Sequence, residues 1–266
     1  MLGKLLKKDF TATGRFFLPL LGGYAIAAVV AKLLIEMVFR STDLFSYDNP
    51  ISSGLTIFSI IYFTMCVIYL IACYLMTTVF VVYDFYKTMV SSHGYLTHTL
   101  PVTTGMLLWS KVLVAVIWSL AVNLLIGLSL LLLFAGHFPE SGMFQTLRDL
   151  FRFLDVNFGT YIFYMLFNMI MGLFHTPLMF FSCIAIGQLW REHRIMGAIL
   201  SYIGIHTGTQ IFGTVMLIVT GNGLFSSPYS GSYHGYLLVT TIFGILMTVL
   251  FFLVTWYILS KKLNLE

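Results

Sequence analysis

Few side chains in this sequence have the type and spacing to do chemistry, and the clearest are charged or imidazole groups set inside apolar runs. Lys32 and Glu36 are four residues apart, so on a helix their side chains meet across one turn. A bare charge in hydrocarbon is costly, so the two must pair, face protein or reach the outer interface; contact with a cargo is the functional alternative. His175 and His206 have the chemistry of a proton relay, but neither has an acidic neighbour in sequence. Together with Asn123 and Asn168 they fit helix-to-helix hydrogen bonds better. Met169, Met171 and Met179 flank Pro177 and suit packing around a bent helix better than metal transport. Cys66, Cys73 and Cys183 sit singly in apolar runs, a pattern of buried small hydrophobes that supports neither a disulfide framework nor a zinc site. No zinc motif, nucleophile elbow or Gly-x-x-x-x-Gly-Lys-Ser/Thr phosphate loop stands out, so no catalytic site, bound cofactor or metal is expected in this chain.

The elements around these residues are those of a membrane protein. Hydrophobic residues make up 59% of the chain and charged ones only 9%, with mean hydropathy +0.95, a balance no soluble domain of this length could keep in water. Six runs are long enough to cross about 30 Å of hydrocarbon as helices. They are Phe17 to Phe39, Leu55 to Tyr83, Met106 to Ala135, Tyr161 to Leu189, Ile195 to Val219 and Tyr236 to Leu259. None alternates polar and apolar residues as a membrane barrel would, so the expected fold is an all-α polytopic membrane protein, residues 1–266 forming one six-helix domain.

Orientation follows from the basic residues. With the amino terminus inside, Lys4, Lys7, Lys8, Arg15, Lys87, Lys111, Arg191, Arg194, Lys261 and Lys262 are internal, ten of the fourteen Lys and Arg residues. Both termini are then cytoplasmic. The charged start reads as a short amphipathic lead-in to a retained first helix rather than a cleaved signal. Outside, Ser41 to Gly54 and the Gly- and Ser-rich stretch Thr220 to Gly235 read as connections. A third outer segment, near 140–157, repeats Phe144, Leu147, Phe151 and Leu154 at helical spacing and predicts an interfacial amphipathic helix.

The longest polar interruption on the inner side runs from Asp84 to Lys111. Pro101 restrains Leu100 from the helical region, and the hydroxyl of Thr103 or Thr104 can cap the next helix. Upstream, His93 and Gly94 break the second helix. Tyr95, Leu96 and Leu100 are left as apolar groups in a hydroxyl-rich stretch, suited equally to docking a partner or anchoring the loop to headgroups. The smallest glycine pair of note, Gly204 and Gly208, predicts a close helix approach in the fifth span. Trp109, Trp118, Trp190 and Trp256 fall near or within helix ends, where interface anchoring is ordinary.

The run Gly94-Tyr95-Leu96-Thr97-His98-Thr99-Leu100-Pro101-Val102, with Leu107 to Lys111 after it, resembles the first cytoplasmic loop of bacterial ABC-2-type exporter permeases. Gly187-Gln188-Leu189-Trp190-Arg191-Glu192-His193-Arg194-Ile195 is similar to that family's second cytoplasmic turn. The resemblance implies a six-helix permease in a bacterial cytoplasmic membrane, paired with a second permease copy or a homologous permease and surrounded by membrane lipids, with no nucleic-acid role. It also implies that separate ATP-binding cassette subunits carry the ATP and Mg. Tyr95, Leu96, Thr97, His98, Thr99 and Leu100, in an inner segment near 84–105, would then couple to the ATPase, with Arg191, Glu192, His193 and Arg194 as a smaller contact. The cargo class would be a peptide, antimicrobial or lipid-like molecule. An ion-gradient transporter and a structural or sensory membrane protein are the alternatives.

Overall fold

The computed structural model describes residues 2–44, 50–91, 102–134, 158–190, 192–226 and 232–261, and every regular element among them is helical. The order is α1 (Leu2–Leu44), α2 (Pro50–Phe85) ending in a π-helical turn (Tyr86–Val90), α3 (Thr104–Phe134), α4 (Phe158–Gly187), α5 (Arg194–Ser226) and α6 (Ser232–Lys261). Five stretches are long and apolar enough to cross a membrane: Leu5–Leu34, Ile60–Val90, Thr104–Ser129, Ile162–Gly187 and Leu237–Lys261. Along α2, Ile57, Ile61, Met65, Ile68, Leu75 and Val79 form an outward stripe, each more than half exposed. Such a stripe is intolerable in water and natural against lipid, so the chain is a multi-pass helical membrane protein.

The expected helices are present, with three differences. The amphipathic lead-in does not separate from the first helix. Thr11 Oγ1 donates to the Lys7 carbonyl at 2.7 Å and Thr13 Oγ1 to that of Asp9 at 2.9 Å, so the polar residues satisfy themselves on the helix and give it no reason to break. The α1–α2 and α5–α6 connections, expected on the outer side, shrink: α1 runs to Leu44 and α2 starts at Pro50, whose missing amide proton is harmless at a first position, while α5 and α6 extend to Ser226 and back to Ser232. The fifth expected span forms a helix of 33 residues, yet it is not among the five apolar stretches. His206, Thr207, Thr209 and Gln210 place a polar band at its middle. The expected outer amphipathic helix, Phe144 to Leu154, lies outside the described residues.

The chain divides into two compact units, one of Met1–Leu2, Val81–Val116 and Pro139–Glu266, the other of Gly3–Phe80 and Ile117–Phe138. In the second, α1 is fastened by aromatic and hydroxyl groups. Trp118 Nε1 donates to Thr13 Oγ1 at 2.9 Å while its ring stacks on Phe17 and Phe10, at 4.6 and 4.9 Å between centroids. Tyr24 and Ser129 share a buried 2.8 Å hydrogen bond, and the Tyr69 hydroxyl donates to the Leu20 carbonyl at 3.2 Å. Trp118 is therefore a core residue rather than an interface anchor, at 3% exposure.

In the first unit α4, α5 and α6 pack on one another, most extensively α4 on α6. Asn168 Nδ2 donates to Thr241 Oγ1 at 3.0 Å, and His175 Nδ1 lies 3.0 Å from Thr248 Oγ1. Both pairs are 73 residues apart, so the two helices run parallel in one register, seven residues between rungs. One heptad on, Ser182 and Thr255 are both fully buried and each bonds a carbonyl of its own helix.

Candidate functional site

The site is best built from the end of the first unit where α2 stops, α3 starts and α4 turns into α5. α2 closes in its π-turn: the Ser91 amide donates to the Tyr86 carbonyl at 3.0 Å and Thr88 Oγ1 to that of Asp84 at 2.6 Å. The second helix therefore ends before the expected break at His93 and Gly94, and Met89 and Val90 are buried at its tip. On the far side of the segment, Met106 and Leu107 amides donate to the Thr103 carbonyl at 3.0 and 3.2 Å, so Thr103 opens α3 through its backbone. α3 then presents Leu107, Leu108, Ser110, Lys111 and Val112 as a buried run.

Between these two roots lies a contact the sequence did not advertise. Lys111 Nζ is 2.9 Å from Asp84 Oδ2, with the lysine side chain 7% and the aspartate 24% exposed. The two residues are 27 apart and bracket the polar segment. Beside the pair, Phe85 stacks on Phe181 of α4 at 3.9 Å between centroids, both rings essentially inaccessible. Trp109 of α3 meets Phe252 of α6 at 5.0 Å.

The α4–α5 turn is equally tight. A Cβ on Gly187 would fall 2.6 Å from the Ala198 nitrogen and 2.7 Å from the Arg194 carbonyl oxygen, so the helices approach backbone to backbone there. Gly197 meets Gly187 from the other side. The close approach is made here and not at Gly204 and Gly208, where an added Cβ would meet nothing within 4 Å among the described residues. Of the residues expected at the smaller contact, Glu192 and His193 are exposed and Arg194 half-buried at the start of α5; Arg191 lies outside the described residues. So do Tyr95, Leu96, Thr97, His98, Thr99 and Leu100, whose flanking roots alone are described.

The remaining candidates separate cleanly. Lys32 Nζ and Glu36 Oε1 pair at 3.3 Å, and Glu36 lies two residues beyond the apolar stretch Leu5–Leu34. Asn168 and His175 make the helix-to-helix bonds expected of them. Asn123 does not, donating instead to Ser119 of its own helix at 2.8 Å, and His206 stacks on Tyr202 one turn back. The cysteines are free and buried. Met179 is buried beside Pro177, whereas Met169 points outward. No group of three or more potential metal ligands occurs among the described residues. Ser182, Ile205, Thr209, Met247 and Phe251 contribute to an apolar cavity of about 320 Å³ between α4, α5 and α6. Compared with protein-family models, characterised proteins and solved structures, the chain finds no match.

Proposed function

We propose that the chain is the membrane permease of an ATP-driven exporter of the ABC-2 type, coupled to separate ATP-binding cassette subunits. The observation that carries this reading is the Phe85–Phe181 stack. Phe85 lies six residues before Ser91 and Phe181 six before Gly187, about 9 Å of helix each. The root of each segment that resembles an ATPase-contacting loop therefore lies about 9 Å of helix from one shared contact, which supports a single partner reaching both. A six-span arrangement is supported by the register of α4 and α6. Since they run parallel, the chain between them must return along their length, and α5 packs on both while doing so.

In this reading the work is mechanical. Nucleotide binding and hydrolysis, with Mg, occur in the partner; the permease supplies two conformations that the partner favours unequally. Exported cargo of an amphipathic or lipid-like kind fits a bundle with an apolar cavity between α4, α5 and α6, and a second permease copy completes the assembly. The inner side of the first unit faces the bacterial cytoplasm with both termini.

The test is recovery of an ATP-binding subunit with the chain purified from its native membrane. Tyr95→Asp and Leu96→Asp are expected to lose that subunit while inserting normally. Recovery from both variants equal to that from the unsubstituted chain would remove the docking assignment.

A further inference from the structure

We propose that Asp84 and Lys111 are positioning residues: their ion pair ties the two roots of the polar segment together, so that α2 and α3 move as one when the segment is pulled. This role rests on the permease reading above, while the tie itself does not.

The placement of the charges is hard to explain otherwise. Lys111 stands among Leu107, Leu108 and Val112, within the apolar stretch Thr104–Ser129. Two apolar side chains would hold the same helices with less desolvation, because burying an ion pair rarely adds net stability over a packed hydrophobic pair. A charged pair adds direction: Lys111 Nζ at 2.9 Å from one carboxylate oxygen fixes one relative placement of the helices, where apolar contacts tolerate sliding.

Both roots are stiff up to the pair. On the α2 side, Thr88 and the Ser91 amide close the π-turn, and the Ser91 hydroxyl adds a bond to the Lys87 carbonyl. On the α3 side the first turn is bonded from Thr103 onward. The adjoining residue Phe85 passes the constraint to α4 through Phe181, six residues from the second turn. A displacement entering at either root thus reaches α2, α3 and α4 together; without the pair, this tie between α2 and α3 is lost.

Spin labels on Lys87→Cys and Thr103→Cys, both exposed, read the separation of the roots by pulsed dipolar spectroscopy in the full chain. The unsubstituted pair is expected to give one narrow distance distribution. Asp84→Asn and Lys111→Met should each broaden it about twofold or more, and the exchange Asp84→Lys with Lys111→Asp should narrow it again. Should a single variant fail to reach the membrane, Lys111→Arg, which keeps the charge, and the exchanged pair decide the question. A distribution that stays narrow in the single variants, or an exchanged pair that stays as broad as they are, overturns the tie.

The coupling role is read in the recovered ATPase complex, with a fluorophore on Leu128→Cys, which is 65% exposed in α3. Adding ATP should shift its emission in the unsubstituted and exchanged chains. The single variants should retain the ATPase yet lose most of the shift. A full shift in the single variants overturns the positioning role. If the unsubstituted chain recovers no ATPase, the permease reading and the coupling role fail together, and the distance measurement still judges the tie.

Discussion

Two ion pairs occupy comparable positions in the sequence, each a lysine inside an apolar stretch, and they behave as different objects. Lys32–Glu36 is made along one helix, its partners 16% and 48% exposed and one turn apart. Asp84–Lys111 is made between two helices, its partners 7% and 24% exposed, with 26 residues between them. The first pairs a lysine inside an apolar stretch with a glutamate two residues beyond its end. The second spends desolvation to fix a geometry, and the sequence around it is where the resemblance to ATPase-coupled permeases is concentrated. The difference is one of reach: the first pair joins neighbouring turns of one helix, the second joins two helices.

That contrast can be broken or sharpened by substitution. Lys111→Met strands the Asp84 carboxylate and should cost toward the lower end of the ~3–5 kcal/mol typical when one partner of a buried pair is removed, since Asp84 keeps some exposure. Unfolding in mixed micelles checks it, and a loss as small as that of Glu36 variants would erase the distinction. Gly187→Ala forces the α4–α5 backbones apart and should destabilise by about 1–3 kcal/mol, read as a lowered midpoint of thermal unfolding. At Gly208, where the same Cβ meets nothing among the described residues, alanine should leave the midpoint unmoved. The parallel rungs of α4 and α6 come next. A double-mutant cycle on Asn168→Leu and Thr241→Val should return a coupling of about 0.6 kcal/mol, the usual worth of such bonds within a membrane. Glu36→Gln should do least, under about 0.5 kcal/mol, as for other helix-surface pairs.

How much of this was legible in the sequence depends on distance along the chain. Apolar runs gave all six helices, and four-residue spacing gave the Lys32–Glu36 pair, because both are local facts. Helix ends were shorter in expectation than in the structure, since serine and threonine side chains bond back to their own helices and let them run on through polar stretches. The Asp84–Lys111 pair was hidden by its separation: both residues were visible as boundaries of the polar segment, but only the folded chain joins them. The α4–α6 register left a trace that can be read in retrospect. Asn168, His175 and Ser182 repeat every seven residues in one apolar run, and Thr241, Thr248 and Thr255 do so in another. Gly204 and Gly208 had the right spacing for close packing and make none among the described residues, whereas Gly187 and Gly197, ten apart across a turn, do. Small residues permit an approach; which helices meet is decided by the turn between them.

In the proposed assembly an ATP-binding cassette subunit docks on the polar segment and the α4–α5 turn. A photo-crosslinking amino acid at Glu192, exposed in that turn, tests it most directly, with the same group at Thr214, exposed in mid-α5, as the reference. In native membranes the account predicts an adduct from Glu192 to a protein identified as an ATP-binding cassette subunit, and none from Thr214. Adducts from Glu192 that contain no ATP-binding protein, or equal ATPase adducts from both positions, would contradict it.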